Sequence, residues 1–167
     1  MENTMNRLLV GLLAITAAAA WLLTGSKVQS APQQKSAAPQ YLEGDAYQKA
    51  RAFSPAVITH GGRIIWLAGQ TATQDLNGKS LLGDFQGQAR TVFGLMDRTL
   101  KRDGGSLKNL VNMTVFINDP RNGDQLVKLR QEFFSDGKFP ASTMITVSDF
   151  AQPGMLIEIE GQAVVPE

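Results

Sequence analysis

From residue 155 to 165 every odd position is apolar or small, with Ile157, Ile159, Gly161, Ala163 and Val165 as the run, while Glu158, Glu160 and Gln162 fall between them. Alternation with a period of two over such a length specifies a strand with one dry face and one polar face, because successive side chains leave a strand on opposite sides. Such a strand cannot stand alone. Its backbone needs neighbouring strands and its dry face needs a covering layer. The chain supplies that layer itself. Phe85, Ala89, Val92, Phe93, Met96 and Leu100 fall on one stripe at helical spacing behind Asp84, a good N-cap. Arg90, Asp97, Arg98 and Lys101 take the outer face, and Asp103-Gly104-Gly105 tolerates the left-handed backbone that ends a helix.

The remaining segments fit the same plan. Ala56-Val57-Ile58-Thr59 and Arg63-Ile64-Ile65-Trp66-Leu67-Ala68-Gly69 are β-rich runs around His60-Gly61-Gly62, which reads as a hairpin. Residues 71–83 are polar and read as a loop or irregular strand. A strand follows over residues 111–117, with Met113, Val115 and Ile117 on one face. Asn118-Asp119-Pro120 is turn chemistry, and Asn122 is placed to cap a second helix carrying Leu126, Leu129 and Phe133. Residues 143–147 are a further strand. The order is β-β-α-β-α-β-β, an α+β domain in two layers, with a mixed β-sheet covered on one face by two helices. The second sheet face still carries apolar side chains, so self-association is expected to cover it.

Residues 1–44 differ from this body. Arg7 precedes an uncharged alanine-leucine run over residues 8–25, at the border between a signal-peptide core and a membrane span. Residues 1–30 are therefore expected to be a signal peptide or N-terminal membrane anchor, and membrane contact is expected only through residues 8–25 if the segment is retained. Residues 31–44, rich in Ser, Ala, Pro and Gln, read as a flexible linker, and residues 45–167 as the domain. A periplasmic or secreted location follows. The chain has no cysteine, which excludes disulfides and thiolate chemistry, and its single histidine, His60, falls at a turn, so no metal site is expected. A net charge of +1 provides no field to gather nucleic acid. Asn77-Gly78-Lys79-Ser80 echoes the end of a phosphate loop but lacks the leading glycine and a following helix.

Phe53-Ser54-Pro55-Ala56-Val57, Leu67-Ala68-Gly69-Gln70, Thr114-Val115-Phe116-Ile117-Asn118-Asp119, Phe139-Pro140-Ala141-Ser142-Thr143 and Ile157-Glu158-Ile159-Glu160 occur in that order along the body. In order and spacing they resemble the RidA/YjgF family. Each motif alone is weak, and their common register is strong. The resemblance implies a chorismate-mutase-like subunit, a homotrimer, and a small-molecule ligand bound in inter-subunit clefts. It also implies hydrolysis of reactive enamines and imines to a carbonyl compound plus ammonia, without metal or organic cofactor. The alternative is a trimeric periplasmic protein that binds a small molecule in the same cleft without turnover.

The resemblance also assigns residues. Glu158 matches the glutamate that positions the water, and Gly69 the glycine whose backbone lines the cleft. In deaminating members an arginine follows the Pro-Ala pair and grips a carboxylate; that position is Ser142 here, as in branches of the family that lack this arginine. Loss of a charge-assisted pair weakens binding by roughly 1.5–3 kcal/mol. A tyrosine common near the cleft is replaced by Phe53. Ser142 and Thr143 are candidate hydroxyl donors to a ligand, against ordinary strand-edge hydrogen bonding. Phe53 and Phe116 either line the cleft or belong to the core. Alternation places Glu158 and Glu160 on one face and does not choose between them. Arg63, Arg121 and Arg130 are candidates for the missing cation, donated from a neighbouring subunit.

Overall fold

The computed structural model describes residues 37–166. The export or anchor segment expected at residues 1–30, with its apolar run 8–25, lies outside the described residues. Among the described residues no helix is long and apolar enough to cross a membrane.

In chain order the elements are β1 (Ala37–Tyr41), α1 (Ala46–Ala50), β2 (Val57–His60), β3 (Arg63–Gln70), α2 (Phe85–Lys101), β4 (Leu110–Ile117), α3 (Gly123–Phe133), β5 (Ala141–Thr146) and β6 (Ile157–Val165). Short 3-10 turns precede β4 and α3. Four strands form the main sheet in the order β3-β6-β4-β5. The long alternating strand β6 is central and antiparallel to both β3 and β4, whereas β5 joins β4 in parallel. That parallel pair needs a crossover, and α3 supplies it.

One sheet face is dry. Leu67, Met113, Val115, Ile117, Ile157, Ile159 and Ala163 meet the α2 stripe from Phe85 to Leu100 and the Leu126 and Leu129 side chains of α3 in one core. Gly161 allows the closest approach: a Cβ there would lie 2.7 Å from the Asn112 carbonyl oxygen and 2.9 Å from Leu110 Cδ1. The opposite face carries Glu158, Glu160 and Gln162 on β6, with Ile64, Trp66, Phe116 and Ile145 beside them; Trp66 is 74% exposed.

Three local expectations are corrected. Gly61 and Gly62 do turn the chain, both with positive φ, yet β2 and β3 form no ladder. β3 gives its hydrogen-bonding edge to β6, and β2 pairs with β1 through Tyr41↔Val57 and Gln40↔Ile58. The linker expected over residues 31–44 contains the strand β1, anchored where the Tyr41 hydroxyl donates to the Leu110 carbonyl oxygen at 3.2 Å. Behind it Asp45 and Gln48 close a capping box on α1. Finally, Asn122 occupies the N-cap of α3 without a capping side-chain bond, and its Oδ1 accepts instead from Gln125 Nε2. Asp119 caps the preceding turn by accepting from the Arg121 backbone N–H at 2.9 Å.

Candidate functional site

The six candidate residues divide between the two faces of the sheet. Glu158 and Phe116 are register partners on β6 and β4, on the face away from the helices. Thr143 shares that face on the edge strand β5, where it pairs with Thr114, which in turn pairs with Glu160. Two strand spacings, roughly 10 Å, separate Thr143 from the β6 carboxylates.

Gly69 lies on β3 where the ladder with β6 is interrupted between Leu67 and Gln70. The break brings the Glu158 side chain over the glycine backbone. A Cβ built on Gly69 would stand 1.9 Å from Glu158 Oε1 and 2.8 Å from its Cδ, so only glycine leaves the carboxylate where it is. None of the ion pairs among the described residues engages Glu158. Its carboxylate borders a hollow of about 240 Å³ lined by Phe116, Val147, Asp149, Phe150 and Ala151. A carboxylate without a cationic partner, beside a glycine backbone and an aromatic wall, is able to accept a hydrogen bond from water and then a proton. Glu160, one turn of the alternation further on, has Thr114 opposite it. The geometry thus separates two carboxylates that alternation leaves equivalent.

Ser142 points the other way. Its register partner Met113 belongs to the helix-covered core, and in a parallel pair register partners share a face. The two sequence motifs that carry Phe53 and Ser142 meet in space: the Ser54 N–H donates to the Pro140 carbonyl oxygen at 3.2 Å, and Ser54 bridges Ala141. Ala52, fully buried and with φ of 56°, turns the chain out of α1 immediately before Phe53. This left-handed conformation is unfavourable for a residue with a Cβ and marks a constrained junction. Phe53 stands edge-on to Tyr47, with ring centroids 6.4 Å apart.

A hollow of about 210 Å³ opens here, lined by Tyr47, Arg51, Phe53, Arg130, Ser142 and Met144. Two of these liners are unusual. The Ser142 hydroxyl is buried and has no hydrogen-bond partner among the described residues. Arg130, on α3, is only 3% exposed, and its Nε and Nη2 groups are likewise unpaired. Burial, and then the nearby Arg51 charge, pushes the Arg130 guanidinium down to about 10. Of the three arginines named from the sequence, Arg63 is held by Asp103 at 2.9 Å and Arg121 by Asp119 at 2.6 Å. Arg130 alone of the three has no carboxylate partner among the described residues, and it lines the same hollow as Ser142.

Sequence reasoning passed over Arg51, Tyr47 and Met144. It passed over Gln88 as well, a fully buried amide on α2. Gln88 Nε2 donates to the Leu81 and Gly154 carbonyl oxygens at 3.0 and 2.8 Å, and its Oε1 accepts from the Leu156 N–H at 2.9 Å. It therefore fixes the chain just before Glu158. A larger hollow of about 320 Å³, bordered by Phe93, Asp97, Lys101 and Leu107, contains none of the candidate residues. Among the described residues no group of three or more His, Asp or Glu side chains is arranged to hold a metal ion.

Comparison with known proteins gives this geometry a family. A RutC family protein of Pyrococcus horikoshii is 29% identical over 102 residues, covering 61% of this chain and 79% of its own. The RutC family protein YjgH of Escherichia coli is 28% identical over 107 residues, covering 64% and 79%. In structure, the Rid family protein YyfB of Yersinia pestis aligns with a TM-score of 0.67 at 25% identity, over 76% of this chain and 98% of that one. A protein of unknown function from Pseudomonas aeruginosa aligns with a TM-score of 0.55 at 29% identity, over 76% and 92%. Residues 43–165 match the family described as endoribonuclease L-PSP. The chain belongs to that family, the RidA/YjgF family its motifs resemble.

Proposed function

We propose that this protein hydrolyses small enamines or imines in a cleft assembled between copies of the chain, as a homotrimer, with Glu158 as the group that activates water. The observation that carries the reading is the close fit of the Glu158 carboxylate over Gly69, beside Phe116. In this reaction the enamine tautomerises to the imine, which takes up a proton to become an iminium ion, and water adds to the electrophilic carbon as its own proton passes to the carboxylate and from there to the departing nitrogen. The carbinolamine then collapses, breaking the C–N bond and releasing ammonia and a carbonyl compound. The protein needs only to orient the water and manage one proton.

A cleft shared between copies is supported by the division of the candidate residues. Glu158, Gly69 and Phe116 lie on one side of the sheet and Ser142 and Phe53 on the other, so the hollow beside Glu158 and the hollow beside Ser142 are separate. The exposed Trp66, Ile64 and Ile145 on the Glu158 face supply apolar surface for a second copy.

The test generates 2-aminoacrylate in situ and follows pyruvate formation above the spontaneous rate. Saturable acceleration is expected from the wild type. Glu158→Gln should lower the rate by at least about a hundredfold with the assembly intact, and an unchanged rate would remove Glu158 from the chemistry. A folded, assembled wild type without any acceleration would favour a protein that binds a small molecule without turnover.

A further inference from the structure

We propose that the hollow between α1, α3 and β5 is a carboxylate-binding site in which Arg130, assisted by Arg51 and the Ser142 hydroxyl, holds the acid group of a small organic ligand. The inference deepens the reading above and rests on it for the second half of the cleft. The ligand is accordingly a substrate or product with a carboxylate, such as a 2-oxo acid.

The argument begins with what a buried guanidinium requires. A cation out of water is costly unless it is paired, and Arg130 is 3% exposed with no carboxylate bound to it among the described residues. Its unpaired atoms are Nε and Nη2. These two N–H groups form one edge of the planar fork, the edge that receives both oxygens of a carboxylate. The same molecule displays that arrangement on its surface. Arg121 Nε donates to Asp119 Oδ1 at 2.9 Å, and Arg121 Nη2 donates to Asp119 Oδ2 at 2.6 Å. Arg130 has the same edge, buried and with no acid against it among the described residues.

The surroundings favour an anion for independent reasons. Ser142 brings a second unpaired buried donor to the same hollow. Arg51 adds a second positive charge, and its only ion pair among the described residues is to Asp124 at 2.5 Å, a solvent-exposed carboxylate. Burial, and then the like charge of Arg51, disfavour the Arg130 cation, and the opposite charge of a bound carboxylate offsets both. At about 210 Å³ the hollow accommodates a small acid rather than a nucleotide. Tyr47 and Met144, its exposed liners, are the side chains an entering ligand displaces.

The test is calorimetric titration of the full chain with pyruvate and, separately, with inorganic phosphate at low ionic strength. Saturable pyruvate binding is expected, with weaker phosphate binding. Arg130→Met should weaken pyruvate at least about tenfold, and Arg130→Lys nearly as much, because an ammonium cannot form the fork. The melting temperature of Arg130→Met should hold or rise, since the variant removes an unpaired buried charge. Should that variant fold poorly, Arg51→Gln, a change at a partly exposed side chain, should still weaken pyruvate severalfold. Undiminished pyruvate binding by Arg130→Met or by Arg51→Gln would overturn the proposal, as would phosphate binding the Arg130 site more tightly than pyruvate. Dissociation of the oligomer in Arg130→Met would also overturn it, by showing that a partner's carboxylate fills the fork. Binding is read apart from turnover: pyruvate binding that depends on Arg130 in a protein without enamine hydrolysis upholds this site and removes the catalytic reading. Enamine turnover that survives Arg130→Met with unchanged kcat/KM does the reverse.

Discussion

Gly69 shows how a single hydrogen atom in place of a methyl group organises this site. Its backbone has no positive φ that would demand glycine; the demand comes from the Glu158 carboxylate lying where a Cβ would be. That carboxylate is the far end of a flexible side chain, so Gly69→Ala should push it aside without disturbing the sheet. The expected result is a loss of turnover comparable to Glu158→Gln with a change in stability below about 1 kcal/mol, read from enamine hydrolysis and a urea melt on one preparation. Full activity in Gly69→Ala would mean that the carboxylate position is irrelevant. Glu158 illustrates how far the sequence reached. Alternation gave it the same standing as Glu160, and only the family motif preferred it. What separates them, a broken ladder on β3 and an aromatic partner across β4, depends on register between strands distant in the chain. Arg130 was named as one of three interchangeable cations. It occupies the position four residues after Leu126, on the stripe that α3 buries, and an arginine at such a position is the signal that distinguishes it from Arg63 and Arg121.

At the scale of elements, α2 both covers the sheet and holds the loops that deliver the site. Gln88 lies on the buried stripe between Phe85 and Val92 and bonds three backbone groups from two loops. Gln88→Leu keeps the volume and removes every one of those bonds. At roughly 1–3 kcal/mol for each buried group left unpaired, a loss of at least about 2 kcal/mol is expected, read from denaturant midpoints. A loss below about 0.5 kcal/mol would show that the loops find other partners. Both major helices, the central strand and the order of elements from β2 onward were legible because their periodicities are long and clean. β1 and α1 were not. The composition around β1 is that of a tether, and what orders it is nonlocal: pairing with β2 and the hydrogen bond from Tyr41 to Leu110; α1 has only a local signal, the Asp45–Gln48 capping box, on five residues. The expected hairpin failed for a related reason. Two β-rich runs around Gly61-Gly62 satisfy every local rule for pairing, but β6 competes for β3 and wins it.

Among the described residues, one sheet face is covered by helices and the other is not. Trp66 projects from the uncovered face, on the side of the sheet that carries Glu158, Phe116 and Thr143. Burying such a ring against a second copy contributes roughly 1.5–3 kcal/mol per subunit, and a charge in its place reverses the sign. If the cleft is built between copies, then assembly and function must fail together. The direct measurement is the solution mass of the wild type and of Trp66→Asp by sedimentation equilibrium, with enamine hydrolysis assayed on the same samples. The account predicts three chain masses and activity for the wild type, and one chain mass with neither activity nor unfolding for the variant. A wild-type monomer that turns over substrate, or a monomeric variant as active as the wild type, would contradict it.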